Sequence, residues 1–182
     1  MTAEQATHMM AAEWIVLGCS LLFLFVLAAW HLVWILAIKK VKPSSGNHPH
    51  MAVLVAFWGL ILLHFSEIVF GALALGFILD LEGTGSLSEG YGSTMGGLLY
   101  FSGITFSTLG YTGQTAEGPI RLFIMMQSLG GFMLITWSAT FVYSIWDDRF
   151  RNAEQREEEC EDEREDEDPE DCEEELAESA GR

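Results

Sequence analysis

The sequence predicts an all-α integral membrane fold: three transmembrane helices, with a shorter apolar segment that re-enters the membrane between the second and the third. Three observations carry this expectation. Trp14 to Ile38 and Leu122 to Trp146 each run 25 residues without an acidic residue, lysine or arginine, and Met51 to Leu79 runs 29 with only His64 and Glu67 as ionisable groups. A hydrocarbon core about 30 Å thick is crossed by about 20 apolar residues rising about 1.5 Å each, so all three runs are long enough. Helices this apolar on every side cannot be covered by the rest of a 182-residue soluble chain. The second observation is the placement of the basic residues, and the third is the stretch 94–107, apolar but too short to cross.

The elements follow in chain order. Residues 1–13, "MTAEQATHMMAAE", carry Glu4 and Glu13 and no lysine or arginine, and the run behind them exceeds a signal-peptide core. The expectation is a short extracytoplasmic N-terminus and a retained first span over 14–38. Of nine lysines and arginines, Lys39, Lys40 and Lys42 follow that span. Arg149, Arg151, Arg156, Arg164 and Arg182 follow the third, leaving only Arg121 elsewhere. Basic residues resist translocation, so loop 39–50 and the C-terminus are expected in the cytoplasm and segment 80–121 outside. Trp30 and Trp34 fit an aromatic belt on the cytoplasmic side. This describes a multi-pass protein of the plasma (inner) membrane. The first span has no arginine row and is expected to pack at the rim.

Residues 51–79 form the second span and 80–93, "DLEGTGSLSEGYGS", an exposed loop. Residues 94–107 read as a short re-entrant helix, 108–113 as a Gly-containing extended strand, and 120–146 as the third span. Residues 147–182 hold 19 acidic and 5 basic residues, a net −14 out of the chain's −17. Self-repulsion and the lack of apolar groups predict disorder there. Such a tail is either simply solvated or a partner surface for divalent cations or a basic protein; nucleic acid is not an expected partner. Cys19 lies in a span, and Cys160 and Cys172 match no zinc spacing. No nucleophile–base pair or phosphate loop is present, so an enzyme is not expected.

Backbone that leaves a helix at membrane depth is tolerated only in protein or beside water, since each unsatisfied peptide group costs several kcal/mol. An ion passage is one place where bare carbonyls are useful. "YFSGITFSTLGYTG", Tyr100 to Gly113, between two spans, resembles the pore domain of potassium channels of the two-transmembrane, pore-loop ion-channel type. The resemblance covers residues 51–146; "HFSE" in the second span and "TWSATFVYSIWDD" ending the third are also similar to small bacterial members. It implies an outer helix, pore helix, selectivity filter and inner helix, in a homotetramer within the bilayer. It implies a passive potassium-conducting channel whose filter is Thr108, Leu109, Gly110, Tyr111 and Thr112. Potassium would be held by Thr108, Leu109, Gly110 and Tyr111, as a permeant ion and not a cofactor. Thr112 stands where the family has glycine, and Gly113 where an acidic residue is usual. A β-branched residue at positive φ costs about 1–2 kcal/mol. The outer end is therefore either reshaped around Gly113 or left with a weakened outermost ion site, as in a weakly selective cation channel. The similar-looking "EGYGS" precedes the re-entrant helix and lacks the threonine, which leaves it a loop.

Gly130 and Gly131, a third of the way along the third span, are either a gating hinge or a point of close helix packing. Thr136, Ser138 and Thr140 are candidates to line a wet cavity below the filter. His64 and Glu67 share a helix face deep in the second span, as a polar clamp, a proton sensor or part of a metal site. His31 completes a cluster with them only if the first span aligns. A non-conducting sensor or scaffold using this pair is the alternative function.

Overall fold

The computed structural model describes residues 3–41, 49–88, 94–110 and 115–166. Four helices dominate it: α1 (Ala3–Val41), α2 (Pro49–Leu79), α3 (Met95–Phe106) and α4 (Ile120–Asp166). Met10–Lys40, Val53–Leu79 and Ile120–Asp147 are long and apolar enough to cross a membrane, whereas Met95–Phe106 is a shorter apolar helix. The chain is thus an all-α, multi-pass membrane protein with a short apolar helix between its last two spans.

Helix α1 is apolar all round but buries one stripe: Val16, Ser20, Leu27, His31, Ile35 and Ile38, at spacings of three, four and seven. Trp14, Leu22, Phe25 and Val33 stay exposed on the other side. That is the pattern of a helix seated on protein along one face with its remainder free for lipid. Three apolar clusters tie it to the rest. One joins Ile35 and Ile38 to Leu60, Leu63, Phe141 and Ile145. A second joins Val16 to Leu75, Ile78, Phe101, Ile120 and Phe123. The third, Leu27 with Phe106 and Leu134, lies at the C-terminal end of α3. The span expected at the rim therefore packs along both α2 and α4 and reaches the short helix. Where lipid is as apolar as leucine, such contacts stabilise by close packing and not by water exclusion.

The outer segment is clipped shut on both sides of the re-entrant loop. Strands β1 (Ser86–Leu87) and β2 (Ala116–Glu117) pair antiparallel, Ser86 opposite Glu117 and Leu87 opposite Ala116. Ser88 N–H donates to Thr115 O at 2.8 Å, and Ile120 N–H donates to Thr84 O at 2.7 Å, fixing the start of α4. Gly85 (φ +119°) and Gly118 (φ +85°) let the two backbones touch; a Cβ on Gly85 would overlap Glu117 O. Part of the stretch expected as loop is thus paired.

The helical ends also differ from expectation. Helix α1 begins at Ala3, ahead of the apolar run, and α4 continues to Asp166, through acidic sequence expected to be disordered from 147. Extending an existing helix avoids the nucleation cost, and glutamate is a fair helix former. Arg151 pairs with Asp147 one turn earlier, which supports that extension. The tail 167–182, with Cys172, lies outside the described residues.

Candidate functional site

Helix α3 starts at a defined cap. Thr94 has extended backbone (φ −121°, ψ 144°), and its Oγ1 accepts the Gly97 N–H at 3.2 Å. The helix ends in a Schellman turn: Thr108 N–H donates to Thr105 O and Leu109 N–H donates to Ile104 O, both at 3.1 Å. That turn needs one left-handed residue, ordinarily glycine. Here it is Thr108, at φ +58°, the only non-glycine with positive φ among the described residues. A β-branched residue in this region is strained. Gly110 is also left-handed, at φ +61°. Thr108, Leu109 and Gly110 are all exposed, Leu109 by 71%. Tyr111, Thr112 and Gly113 lie outside the described residues. A cavity of about 520 Å³ opens beside this turn, lined by Phe101, Thr105, Thr108, Gly110, Arg121 and Ser128 among others.

The helix is anchored from behind by a polar chain. Gln127 Nε2 donates to Ser102 Oγ at 2.6 Å, and Ser102 Oγ donates to Ile68 O at 2.8 Å. Gly71 makes room, since a Cβ there would overlap Gln127 and lie 2.5 Å from Ser102 Oγ. This links α4, α3 and α2 in one layer. Gln127 and Ser102 went unmarked by the sequence reading; the available signal was a glutamine within a charge-free span.

Gly131 and Gly130 occupy contact points inside an unbroken α4. A Cβ on Gly131 would overlap the Phe106 carbonyl at the end of α3, and one on Gly130 would overlap Leu24 of α1. Both are points of close helix packing. Thr136 and Thr140 lie on an exposed face of α4, each hydroxyl donating to the carbonyl four residues earlier, Phe132 O and Thr136 O. Ser138 departs from them. It is buried, and its Oγ lies 3.4 Å from His31 Nε2, inside the subunit and away from the Thr136–Thr140 face.

A second site lies between α1 and α2. Glu67 is fully buried, with Oε1 2.7 Å from His31 Nδ1 and Oε2 2.8 Å from His64 Nδ1. Each Nδ1 thus meets one carboxylate oxygen, and His31 Nε2 faces Ser138 Oγ on the ring's other side. His31 is also fully buried and His64 is 22% exposed. Trp137 lies 5.2 Å from His31, and Phe106 lies 5.8 Å from His64. Nearby, Trp30 Nε1 donates to Ser66 Oγ at 3.0 Å, so that indole bonds α2 and not a headgroup. The alignment that the sequence left open is realised: α1 brings His31 to the pair on α2.

A family model described as an ion channel matches residues 51–146, 96 of the 182 residues. No curated protein and no solved structure matches the chain.

Proposed function

The chain belongs to the ion-channel family, and from that premise we propose that it is a passive cation channel, selective for potassium, assembled from four copies around one axis. The filter in this reading is Thr108, Leu109, Gly110, Tyr111 and Thr112, with the first four holding permeant potassium. The N-terminus lies outside and the acidic C-terminal tail in the cytoplasm of an inner or plasma membrane, where that tail attracts cations or a basic partner. No resident cofactor and no catalytic step are involved.

One observation carries this reading. The short helix ends in a tight turn whose next residues, Thr108 to Gly110, stand exposed with Gly110 left-handed. Four copies around an axis would turn that exposed edge into a ring of oxygens of the kind that replaces an ion's hydration shell. The exposed α4 face with Thr136 and Thr140 would then line the passage below.

The test is cation flux through purified protein in liposomes, under potassium and then sodium gradients, with Gly110→Ala beside the parent. The expected result is flux that prefers potassium and is lost in the variant, because alanine resists the left-handed backbone. Equal flux of both ions, lost in the variant, would mean a weakly selective channel with a spoiled outer site at Thr112. No flux at any voltage or pH would replace the channel reading with the sensor or scaffold built on His64 and Glu67, a reading favoured by the completeness of that cluster within one chain.

A further inference from the structure

We propose that His31, His64 and Glu67 form a binding site for a divalent transition metal of the Zn²⁺ type, a staple between α1 and α2 that is independent of ion conduction. The donor set is two imidazole nitrogens and one carboxylate oxygen. Borderline metals take that mixture, whereas potassium, magnesium and calcium prefer oxygen alone.

The geometry matches. One ligand atom from each of the three residues lies within 4.8 Å of the others. A tetrahedral ion with bonds of about 2.0–2.2 Å holds its ligand atoms about 3.3–3.6 Å apart. The nitrogen–oxygen contacts of 2.7 and 2.8 Å run to different oxygens of Glu67. Binding one oxygen therefore opens one contact by about 0.6 Å and turns the other ring toward that same oxygen, with each Nδ1 binding the ion and each ring keeping its proton on Nε2. The ligands come already oriented. His31 is held on its far side by Ser138 at 3.4 Å and flanked by the Trp137 ring, the kind of outer support that fixes a metal-binding imidazole. His64, the partly exposed member, gives the access path, and a fourth position is left for water.

Charge points the same way. Glu67 is fully buried within the second span, and its two oxygens face the two imidazoles. An ionised carboxylate in such a place needs a positive counter-charge. A divalent ion supplies it at the point where both rings already converge. The occupied staple would lie one ring, Phe106, from the end of the short helix.

The experiment is a Co²⁺ titration of the purified full-length protein in detergent. Excess Mg²⁺ saturates the acidic tail, and Cys160→Ser and Cys172→Ser remove the tail thiols. Visible absorption distinguishes tetrahedral Co²⁺ from the pale carboxylate-bound ion. The expected result is one tetrahedral Co²⁺ per chain, displaced by Zn²⁺, with a rise in Tm on loading. His64→Gln and Glu67→Gln should each weaken binding at least tenfold and abolish the Tm rise. Circular dichroism and gel filtration establish that each variant folds. His64→Gln, at the more exposed position, decides the matter if Glu67→Gln does not fold. Absence of tetrahedral bands in the parent, or bands that survive in the folded His64→Gln variant, would overturn the proposal. Neither readout depends on flux, so failure here leaves the channel reading untouched.

Discussion

The two polar regions of this molecule solve the same problem in opposite ways. Between α1 and α2, Glu67 and His31 are fully buried, and each has partners within the chain. At the end of α3, Thr108 to Gly110 stand exposed in a strained turn. A polar group at membrane depth costs several kcal/mol unless it is satisfied. The first region meets that demand alone. The second keeps the Thr108 and Leu109 N–H groups bonded to the helix and leaves its exposed edge open to its surroundings. Satisfaction within one chain marks a site that serves folding or local binding, whereas the exposed turn is the part that the proposed assembly of four copies would use.

The largest expected effect breaks the self-sufficient region. With metal chelated, His31→Leu leaves Glu67 buried and short of one partner, and removing one member of a buried charged group costs about 3–5 kcal/mol. Unfolding in mixed micelles would read this loss. Replacing His31, His64 and Glu67 together by leucine should recover most of it, because a well-packed apolar substitute needs no counter-charge. A triple variant as unstable as the single one would show that the network contributes more than mutual neutralisation.

Next in size is Gly131→Val. The added carbons would meet the Phe106 carbonyl, which is backbone and cannot rotate aside. Overpacking of this kind costs about 1–3 kcal/mol and shifts the end of α3. Gly96 is the control, as nothing lies within 4 Å of a Cβ built there. Gly96→Ala should be neutral or stabilising by up to about 1 kcal/mol, since alanine favours helix over glycine. If Gly131→Val leaves stability and flux at parent values, the close contact between α4 and α3 is not what positions the turn.

Ser102→Ala comes third, at about 1–3 kcal/mol, because it strips Gln127 Nε2 of its buried acceptor. Gln127→Leu in the same background should restore part of the loss. No such restoration would mean that the polar chain from α4 to α2 does not operate as a unit.

These effects also mark where sequence reading stopped. The three spans and the short helix were legible because charge-free runs of 25 to 29 residues have one stable solution in a bilayer. The place of Thr108 to Gly110 directly after the helix was legible for a similar reason, since glycine and threonine break an apolar run there. What could not be read was azimuth. Helices apolar on all sides carry no moment to say which face is buried. The sequence therefore grouped Ser138 with Thr136 and Thr140, whereas rotation about the helix axis sends it to His31. The same ambiguity hid the place of α1 and the pairing of Gln127 with Ser102. The helical stretch 147–166 was missed for a different reason: composition argues against burial, but a helix already under way needs none to continue.

The smallest effect tests the strained region itself. Thr108 sits at φ +58° at the turn position where glycine is usual. Thr108→Gly should relieve that strain, and after the entropy glycine brings to the unfolded chain the net gain is about 1 kcal/mol or less. The protein would thus become slightly more stable at the very residue where its hydroxyl is lost. If the strain is maintained for ion coordination, flux or its preference for potassium over sodium should fall in the same variant. Stability and flux moving in opposite directions would identify Thr108 as held in place for function at a small cost to the fold. A Thr108→Gly protein that gains stability and conducts like the parent would assign the turn to architecture alone and leave coordination to Leu109, Gly110 and the residues beyond.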